Sequence, residues 1–371
     1  MSVVVTLCLG IVAHAEGQSA RCATSDSVCK TVETGIEKGY FAGAVVLAGR
    51  QDQVLMQEAF GCAQVLPEKV PMGKDAVFDL ASVTKVVATA TACAICVDDG
   101  LVDLDRPARK YLSELVGKGT EQVTVRQLGM HTSGFGNKKF TPKYRGDAML
   151  RAMLAASPHD EPGSRYQYSC LNFILLSLLV EDVTGQPFST FCTNRIFGPL
   201  GMKDTRFGPV PVSERVVTMG CAVGQISDMQ ARLAGKAVGN AGLFSTAADL
   251  ARFCQMMLGE GELANTRVMS RSVVRDITHE PPTSQVGRGF GWDLRPEGRP
   301  RGLSDATYYH TGWTGQSMWI DPERGLYVIV LTNRNHPKER PSLYNDAKRF
   351  RIRIAESVLD HAVAERLTNP K

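Results

Sequence analysis

The chain has 371 residues, of which 43% are hydrophobic and 22% charged, a balance typical of a globular protein with one large domain or two closely packed ones. Its formal net charge of +4 is too small to predict binding to nucleic acid or to a membrane surface. The seven histidines and ten cysteines show no ligand-like spacing, so neither a metal nor another cofactor is expected.

The N-terminus carries an apolar run over residues 3–12, followed by Ala13-His14-Ala15. This small-residue pattern is typical of a signal-peptide cleavage site, so residues 1–15 are expected to be a signal peptide and the mature chain to be periplasmic or secreted. A native N-terminal strand or helix is the alternative. The run is too short to span a bilayer, and no other stretch is expected to reach transmembrane length.

Export would permit disulfides, and Cys22 and Cys29 are one candidate pair, although pairing cannot be deduced from the sequence. Cys93 and Cys96 have the spacing of a redox motif. They lie inside a predicted helix, however, away from a helix start that would activate a thiolate. We therefore expect them to be core residues.

Along the chain, the hydrophobic periodicity changes from strands to helices and back to strands. Strands are predicted at 43–48, 53–60, 289–292, 306–312, 317–320 and 326–332. Helices are predicted at 20–38, 86–97, 124–130, 173–180, 247–258 and 343–367.

This order predicts an α/β (α+β) fold, in which both termini contribute strands to one antiparallel sheet flanked by helices, with an inserted all-helical domain. The mature domain would cover residues 16–371. Its sheet subdomain would comprise about 20–80 plus 265–371, and its helical subdomain about 81–264.

The most informative stretch is a Ser-x-x-Lys tetrad, Ser82 to Lys85, at the start of the apolar helix predicted from Val86. A serine hydroxyl is a weak nucleophile until a neighbour takes its proton, and a lysine one helical turn away could assist. The tetrad alone is weak support, since a second copy occurs at Ser27 to Lys30. A helix N-cap serine is the alternative.

Further motifs follow in order: Tyr168 in the segment 162–169, Asn240 in 239–246, and His310-Thr311-Gly312. Together with Ser82 and Lys85 they resemble the serine β-lactamase and penicillin-binding-protein family, particularly its class C-like esterases and D-amino-acid peptidases. The similarity covers residues 43 to about 336. It implies a β-lactamase/transpeptidase-like fold and a serine hydrolase.

The resemblance also implies residue roles. Ser82 would attack a carbonyl and form an acyl-enzyme, while Lys85 would donate to the serine and depress the pKa of Tyr168. Tyr168 would be the general base for acylation, with Tyr166 as a rival that the family spacing disfavours. The backbone N–H groups of Ser82 and Trp313 would form the oxyanion hole.

Two positions depart from the family pattern. Cys170 replaces the asparagine of the Tyr-x-Asn motif, with Asn172 two residues further on, and a thiol is a weak hydrogen-bonding group. His310 stands where penicillin-recognising members carry lysine, which weakens the attraction for a substrate carboxylate. His131 is expected to be structural. The expected substrate-binding residues are Cys170, Asn172, His310, Thr311 and Gly312.

Three functions follow from this comparison. The first is a hydrolase of small esters or D-amino-acid amides that acts through an acyl-Ser82 intermediate. The second is a D,D-carboxypeptidase or β-lactamase acting on a peptidoglycan-like substrate. The third, from another class, is a non-catalytic muropeptide-binding module, which Cys170 favours and the intact Ser82, Lys85 and Tyr168 disfavour.

Overall fold

The computed structural model describes residues 26–136, 144–213, 215–217, 219–282 and 284–368, so the expected signal peptide and Cys22 lie outside the described residues. The α-helices are α1 (Asp26–Glu37), α2 (Thr91–Asp98), α3 (Val125–Gly129), α4 (Gly146–Leu154), α5 (Cys170–Thr184), α6 (Phe188–Cys192), α7 (Met229–Leu233), α8 (Ala247–Leu258), α9 (Arg271–Thr278) and α10 (Tyr344–Thr368). The strands are β1 (Gly43–Arg50), β2 (Val54–Gln64), β3 (Val70–Pro71), β4 (Phe78–Asp79), β5 (Arg206–Phe207), β6 (Leu243–Ser245), β7 (Glu262–Leu263), β8 (Thr266–Arg267), β9 (Tyr308–Thr311), β10 (Ser317–Asp321) and β11 (Leu326–Thr332).

The main sheet has six strands in the order β3-β2-β1-β11-β10-β9. The N-terminal strand β1 pairs antiparallel with the C-terminal strand β11, in a register that places Ala44 opposite Thr332 and Arg50 opposite Leu326. The prediction that both ends of the chain build one antiparallel sheet is therefore confirmed. Helices dominate the segment between the two sets of strands, together with a small sheet of order β4-β6-β5; the proposed subdomain boundaries stay a prediction.

The main sheet is covered on both faces because its side chains alternate between two cores. Val46 and Val328 belong to a core that also contains Val32 of α1 and Ile354 of α10. The larger core on the other face includes Val45 and the apolar side chains of α2, α5 and α8. The result is a sheet between a terminal helix pair and the helical region.

The strand predicted at 289–292 is wrong. Arg288 and Asp293 pair with each other across this segment as an isolated bridge, and Asp293 also bridges Tyr309. Gly291 has φ of +86°, a left-handed conformation that turns the chain instead of extending it. The aromatic residues that gave the strand pattern are buried in a turn.

The helix predicted after Ser82 is irregular at its start. A 3₁₀ turn over Ala81–Val83 is followed by a π-helical stretch over Lys85–Ala90 and then by α2. The hydroxyl of Thr91 donates to the carbonyl of Val86 (2.8 Å), and that of Thr89 donates to Gly239 (2.7 Å). Both threonines are buried, and at the π-helical stretch one hydroxyl donates to a carbonyl within the helix and the other to a carbonyl outside it.

By length and composition, Ala81–Asp98 could cross a membrane, so the expectation that no further stretch reaches that length is wrong. This stretch is 83% buried inside the protein, where its apolar side chains form the core. The expectation that Cys93 and Cys96 are core residues is confirmed, and burial raises the pKa of Cys96 to about 12. The eight cysteines of the described residues form no disulfide with one another.

Candidate active site

The turn that carries Ser82 is held by Asp79, a residue that sequence reasoning did not single out. The Asp79 carboxylate is fully buried, accepting from the N–H of Ala81 (2.9 Å) and from both the N–H and the hydroxyl of Ser227 (2.7 Å each). Ala81 has φ of +45°, which strains a residue with a side chain. Asp79 therefore helps to fix the strained turn that directs Ser82 into the cavity described below.

Ser82, Lys85 and Tyr168 converge as the sequence predicted. The hydroxyl of Tyr168 donates to Ser82 Oγ at 2.7 Å, and Lys85 Nζ donates to the same oxygen at 3.2 Å. Lys85 is fully buried and also donates to the backbone carbonyl of Asn240 at 2.7 Å. Tyr168, and not its rival Tyr166, contacts the serine oxygen.

The expected effect of Lys85 on the pKa of Tyr168 is present, but burial outweighs it. Burial raises the pKa of Tyr168 and outweighs the Lys85 ammonium, which acts to lower it. Burial also disfavours the ammonium of Lys85, but the neighbouring Cys170 and Tyr168 favour it and leave the pKa of Lys85 above its ordinary value. The resting site thus holds a neutral phenol beside an ammonium, and Tyr168 must lose its proton before it can act as a base.

A buried network supports Tyr168 from behind. The imidazole of His131 lies against the Tyr168 ring, with 4.5 Å between ring centroids. Its Nδ1 accepts from the N–H of Ser169 (3.2 Å) and lies 3.2 Å from Nδ2 of Asn172. Burial lowers the pKa of His131 well below its usual range, so the ring stays neutral, and the position fits the structural role expected for it.

The structure corrects the prediction that Asn172 binds substrate. Asn172 is fully buried, and its Oδ1 accepts from the hydroxyl of Ser133 at 2.7 Å while its amide faces His131. Two residues along a helix separate side chains by about 200°, so Asn172 lies on a different face of α5 from the motif position. Cys170 at that position lines the cavity, with its Sγ 3.8 Å from Lys85 Nζ.

Strand β9 and the turn after it form the opposite wall. His310, Thr311 and Trp313 line the cavity, whereas Gly312 packs against the turn before Ser82. A Cβ atom on Gly312 would lie 2.7 Å from the carbonyl oxygen of Leu80, so only glycine allows this approach. Burial first, and then the charges of neighbouring cations, lower the pKa of His310 to about 3, so this histidine carries no charge at neutral pH.

Three cationic residues that the sequence motifs did not indicate line the cavity. Arg288 and Arg295 both bind the carboxylate of Asp293 (2.7 Å each), and their guanidinium groups lie 4.9 and 5.0 Å from the ring centroid of Tyr166. Lys348 of α10 lines the same cavity. The expectation that His310 attracts a substrate carboxylate less than lysine would stays a prediction, while these three cations supply positive charge from other positions.

These walls enclose a cavity of about 760 Å³, the size of a small-molecule site. An acidic residue, Asp228, lines it beside α7, and its Oδ1 accepts from the side chain of Asn240 (3.0 Å). Within the described residues, no group of three or more His, Cys, Asp or Glu side chains could hold a metal ion. The arrangement presents one oxygen nucleophile, two proton-carrying neighbours and a backbone turn to any carbonyl that enters.

The comparison with known proteins identifies the family. The sequence profile of the Beta-lactamase family matches residues 28–350. The chain belongs to this family. It is accordingly a serine hydrolase with the β-lactamase/transpeptidase-like fold that the motifs predicted.

Individual relatives are distant but similar over most of their length. A Salmonella typhi protein named "Putative D-alanyl-D-alanine carboxypeptidase" is 26% identical over 366 residues, covering 84% of each chain. A penicillin-binding-protein homologue from Caulobacter crescentus superposes with a TM-score of 0.73 and 22% identity, covering 90% of this chain and 96% of its own. A family VIII carboxylesterase has a TM-score of 0.69 and 20% identity, covering 89% and 96%.

Proposed function

We propose that the chain hydrolyses small esters or amides through a covalent acyl intermediate on Ser82. The observation that carries the proposal is the pair of hydrogen bonds to Ser82 Oγ, at 2.7 Å from Tyr168 and 3.2 Å from Lys85, in a cavity large enough for a small substrate. A serine approached by two proton-carrying groups is the arrangement that nucleophilic catalysis without histidine needs.

In the proposed reaction, Ser82 Oγ bonds to the substrate carbonyl carbon as its proton passes to Tyr168, once the Tyr168–Lys85 pair has lost one proton. The carbonyl oxygen becomes an oxyanion facing the N–H groups of Ser82 and Trp313. Tyr168 then returns the proton to the departing alcohol or amine, and the carbon–heteroatom bond breaks. Water repeats the sequence on the acyl-enzyme, releasing the acid and restoring Ser82.

The test is labelling with a fluorophosphonate probe together with turnover of p-nitrophenyl butyrate. Wild-type protein is expected to be labelled and to release nitrophenol, and Ser82→Ala is expected to do neither. Absence of label and turnover in folded wild-type protein would contradict the proposal. Binding of muropeptides in that case would support the non-catalytic alternative.

A D,D-carboxypeptidase is a second candidate, favoured by the cations that line the cavity. Arg288, Arg295 and Lys348 could attract the terminal carboxylate of a peptide substrate, and the printed name of the Salmonella typhi relative points to the same chemistry. The expected sign of this activity is cleavage of the D-Ala–D-Ala bond with a higher kcat/KM in diacetyl-Lys-D-Ala-D-Ala, which releases D-alanine, than in its terminal amide, which releases D-alaninamide. Equal values for acid and amide would disfavour this candidate, and nitrocefin turnover would indicate a β-lactamase.

Export of the chain is also a proposal, supported by the apolar run and the Ala13-His14-Ala15 pattern. N-terminal sequencing of protein recovered from a periplasmic extract is expected to begin at Glu16. Recovery of the full chain from the cytoplasmic fraction alone would contradict it.

A further inference from the structure

Arg351 is a buried cation behind the turn that joins β9 to β10. It lies on α10 and is 1% exposed. Its Nη1 donates to the backbone carbonyl of Gln316 at 2.8 Å and to that of Gly312 at 3.2 Å. The guanidinium therefore reaches the turn from the side of the terminal helix, while Trp313 in the same turn lines the cavity on the other side.

The carbonyl that Arg351 holds belongs to a functional peptide group. The C=O of Gly312 and the N–H of Trp313 are part of one planar trans peptide, so they point in opposite directions. Fixing the Gly312 oxygen against α10 consequently fixes the direction of the Trp313 N–H. The N–H of Gly312 donates to the Gln316 carbonyl at 2.8 Å, so Arg351 also braces the bond that closes the turn.

Burial of the Arg351 guanidinium without a carboxylate partner in the described part of the chain costs free energy of folding. No carboxylate among the described residues pairs with Arg351, whose Nε and Nη2 have no hydrogen-bond partner, and burial lowers its pKa to about 10. It remains protonated at neutral pH, so a positive charge lies behind the turn. Hydrogen bonding at a carbonyl polarises the whole peptide group and strengthens its N–H as a donor.

We propose that Arg351 is a positioning residue for the oxyanion hole: its guanidinium holds the Gly312 carbonyl and so aims the N–H of Trp313 at the carbonyl oxygen of a substrate bound to Ser82. The inference rests on the acyl-Ser82 function proposed above. It adds a residue from the terminal helix that touches neither the substrate nor the nucleophile.

The test compares Arg351→Met with wild type, using p-nitrophenyl butyrate as substrate and phenylboronic acid as a probe. The boronic acid forms an anionic tetrahedral adduct on a catalytic serine, with a boron-bound oxygen in the oxyanion hole. Because a misdirected donor weakens only charge that develops in the transition state, kcat should fall about tenfold or more while KM changes less than about threefold. The affinity for the boronic acid should fall by a similar factor to kcat.

Arg126→Met is the matched control. Arg126 is mostly buried and bound to Asp105 and Asp276, but it does not line the cavity, so this change should lower the melting temperature without changing kcat. If Arg351→Met does not fold, Arg351→Lys decides. Its side chain is one atom shorter than arginine, and kcat should fall about threefold or more.

A folded Arg351→Met protein with kcat within twofold of wild type would overturn the inference, as would a change in KM alone. If the methionine variant does not fold, a wild-type kcat in Arg351→Lys would also overturn the inference. These results differ from failure of the proposed function, in which wild-type protein itself shows no turnover that depends on Ser82.

Discussion

At the scale of single residues, the chemistry depends on how burial and charge compete at Tyr168. An exposed tyrosine has a pKa of about 10, and an adjacent ammonium would lower it. In the folded protein, burial raises the pKa of Tyr168 more than the Lys85 ammonium lowers it. The phenol therefore keeps its proton and donates to Ser82 Oγ at 2.7 Å. In the proposed reaction the base is accordingly the Tyr168–Lys85 pair after loss of one proton, and neither residue acts alone.

Replacing Tyr168 by phenylalanine tests this assignment. The variant keeps the ring that packs on His131 but loses the hydroxyl that contacts Ser82. We expect kcat to fall about 10²- to 10⁴-fold, the usual contribution of a general base, with little change in melting temperature. Steady-state hydrolysis of p-nitrophenyl butyrate and thermal unfolding provide the measurements.

Tyr166→Phe is the comparison variant, because Tyr166 is the rival candidate and its ring centroid lies 4.9 and 5.0 Å from the guanidinium groups of two arginines. It should lose less than about tenfold in kcat, since a group that only lines the cavity contributes through binding and not through proton transfer. A larger loss in Tyr166→Phe than in Tyr168→Phe would reverse the assignment.

At the scale of elements, the site depends on the close approach of the end of β9 to the 3₁₀ turn over Ala81–Val83. Gly312 permits that approach, and the hydroxyl oxygen of Thr314, which donates to Gln316 Oε1 at 2.6 Å, lies 3.4 Å from the carbonyl oxygen of Asp79 across the same junction. The two elements are more than 200 positions apart in the chain. Sheet packing, and not local sequence, therefore sets the distance between Ser82 and Trp313, the proposed nucleophile and second oxyanion donor.

Gly312→Ala should separate these two elements. The added Cβ would lie 2.7 Å from the Leu80 carbonyl, and a backbone atom cannot move aside easily. A shift of the turn by a few tenths of an ångström or more is expected to lower kcat about tenfold or more, because the oxyanion donor loses its alignment. Turnover of p-nitrophenyl butyrate measures the loss.

The matched control is Gly73→Ala, in which the new Cβ would meet only the end of the flexible Asp75 side chain at 2.8 Å. Its kcat should equal that of wild type. Equal kcat values for the two alanine variants would show that the approach at Gly312 is not needed for catalysis.

At the scale of the whole molecule, the fold buries histidines in their neutral form. Burial holds the pKa of His310 at about 3 and that of His131 well below its usual range. In an unfolded chain a histidine titrates near about 6.5. Between these two values the unfolded state binds protons that the folded state does not, so the free energy of unfolding should decrease as the pH falls below about 6.5.

His310→Gln isolates one part of this dependence. The variant cannot take up the proton in the unfolded state, so its stability should decrease less than that of wild type between pH 6.5 and pH 5, by up to about 2 kcal/mol, the limit set by a slope of about 1.4 kcal/mol per pH unit. Urea unfolding at a series of pH values measures the difference. His159→Gln, at an exposed position, is the control, and equal pH slopes for wild type and His310→Gln would contradict the prediction.

Several helices and strands and the family could be predicted from the sequence, because they depend on short-range patterns of residues. Strand β11 and helix α8 have the predicted bounds, since alternation, apolar periodicity and the Thr246 cap are local properties. The motifs around Ser82, Tyr168 and His310 likewise indicate the family from the sequence alone. Their order and spacing along the chain were sufficient for that.

Only the tertiary structure decided which side chains meet. It placed Asn172 in a buried network instead of the cavity, and it supplied positive charge from Arg288 and Arg295, which no motif marks. It also decided that burial outweighs the Lys85 charge at Tyr168. Distances, burial and local dielectric arise from packing between segments far apart in the chain, so the sequence determined the chemical groups and the fold determined their states.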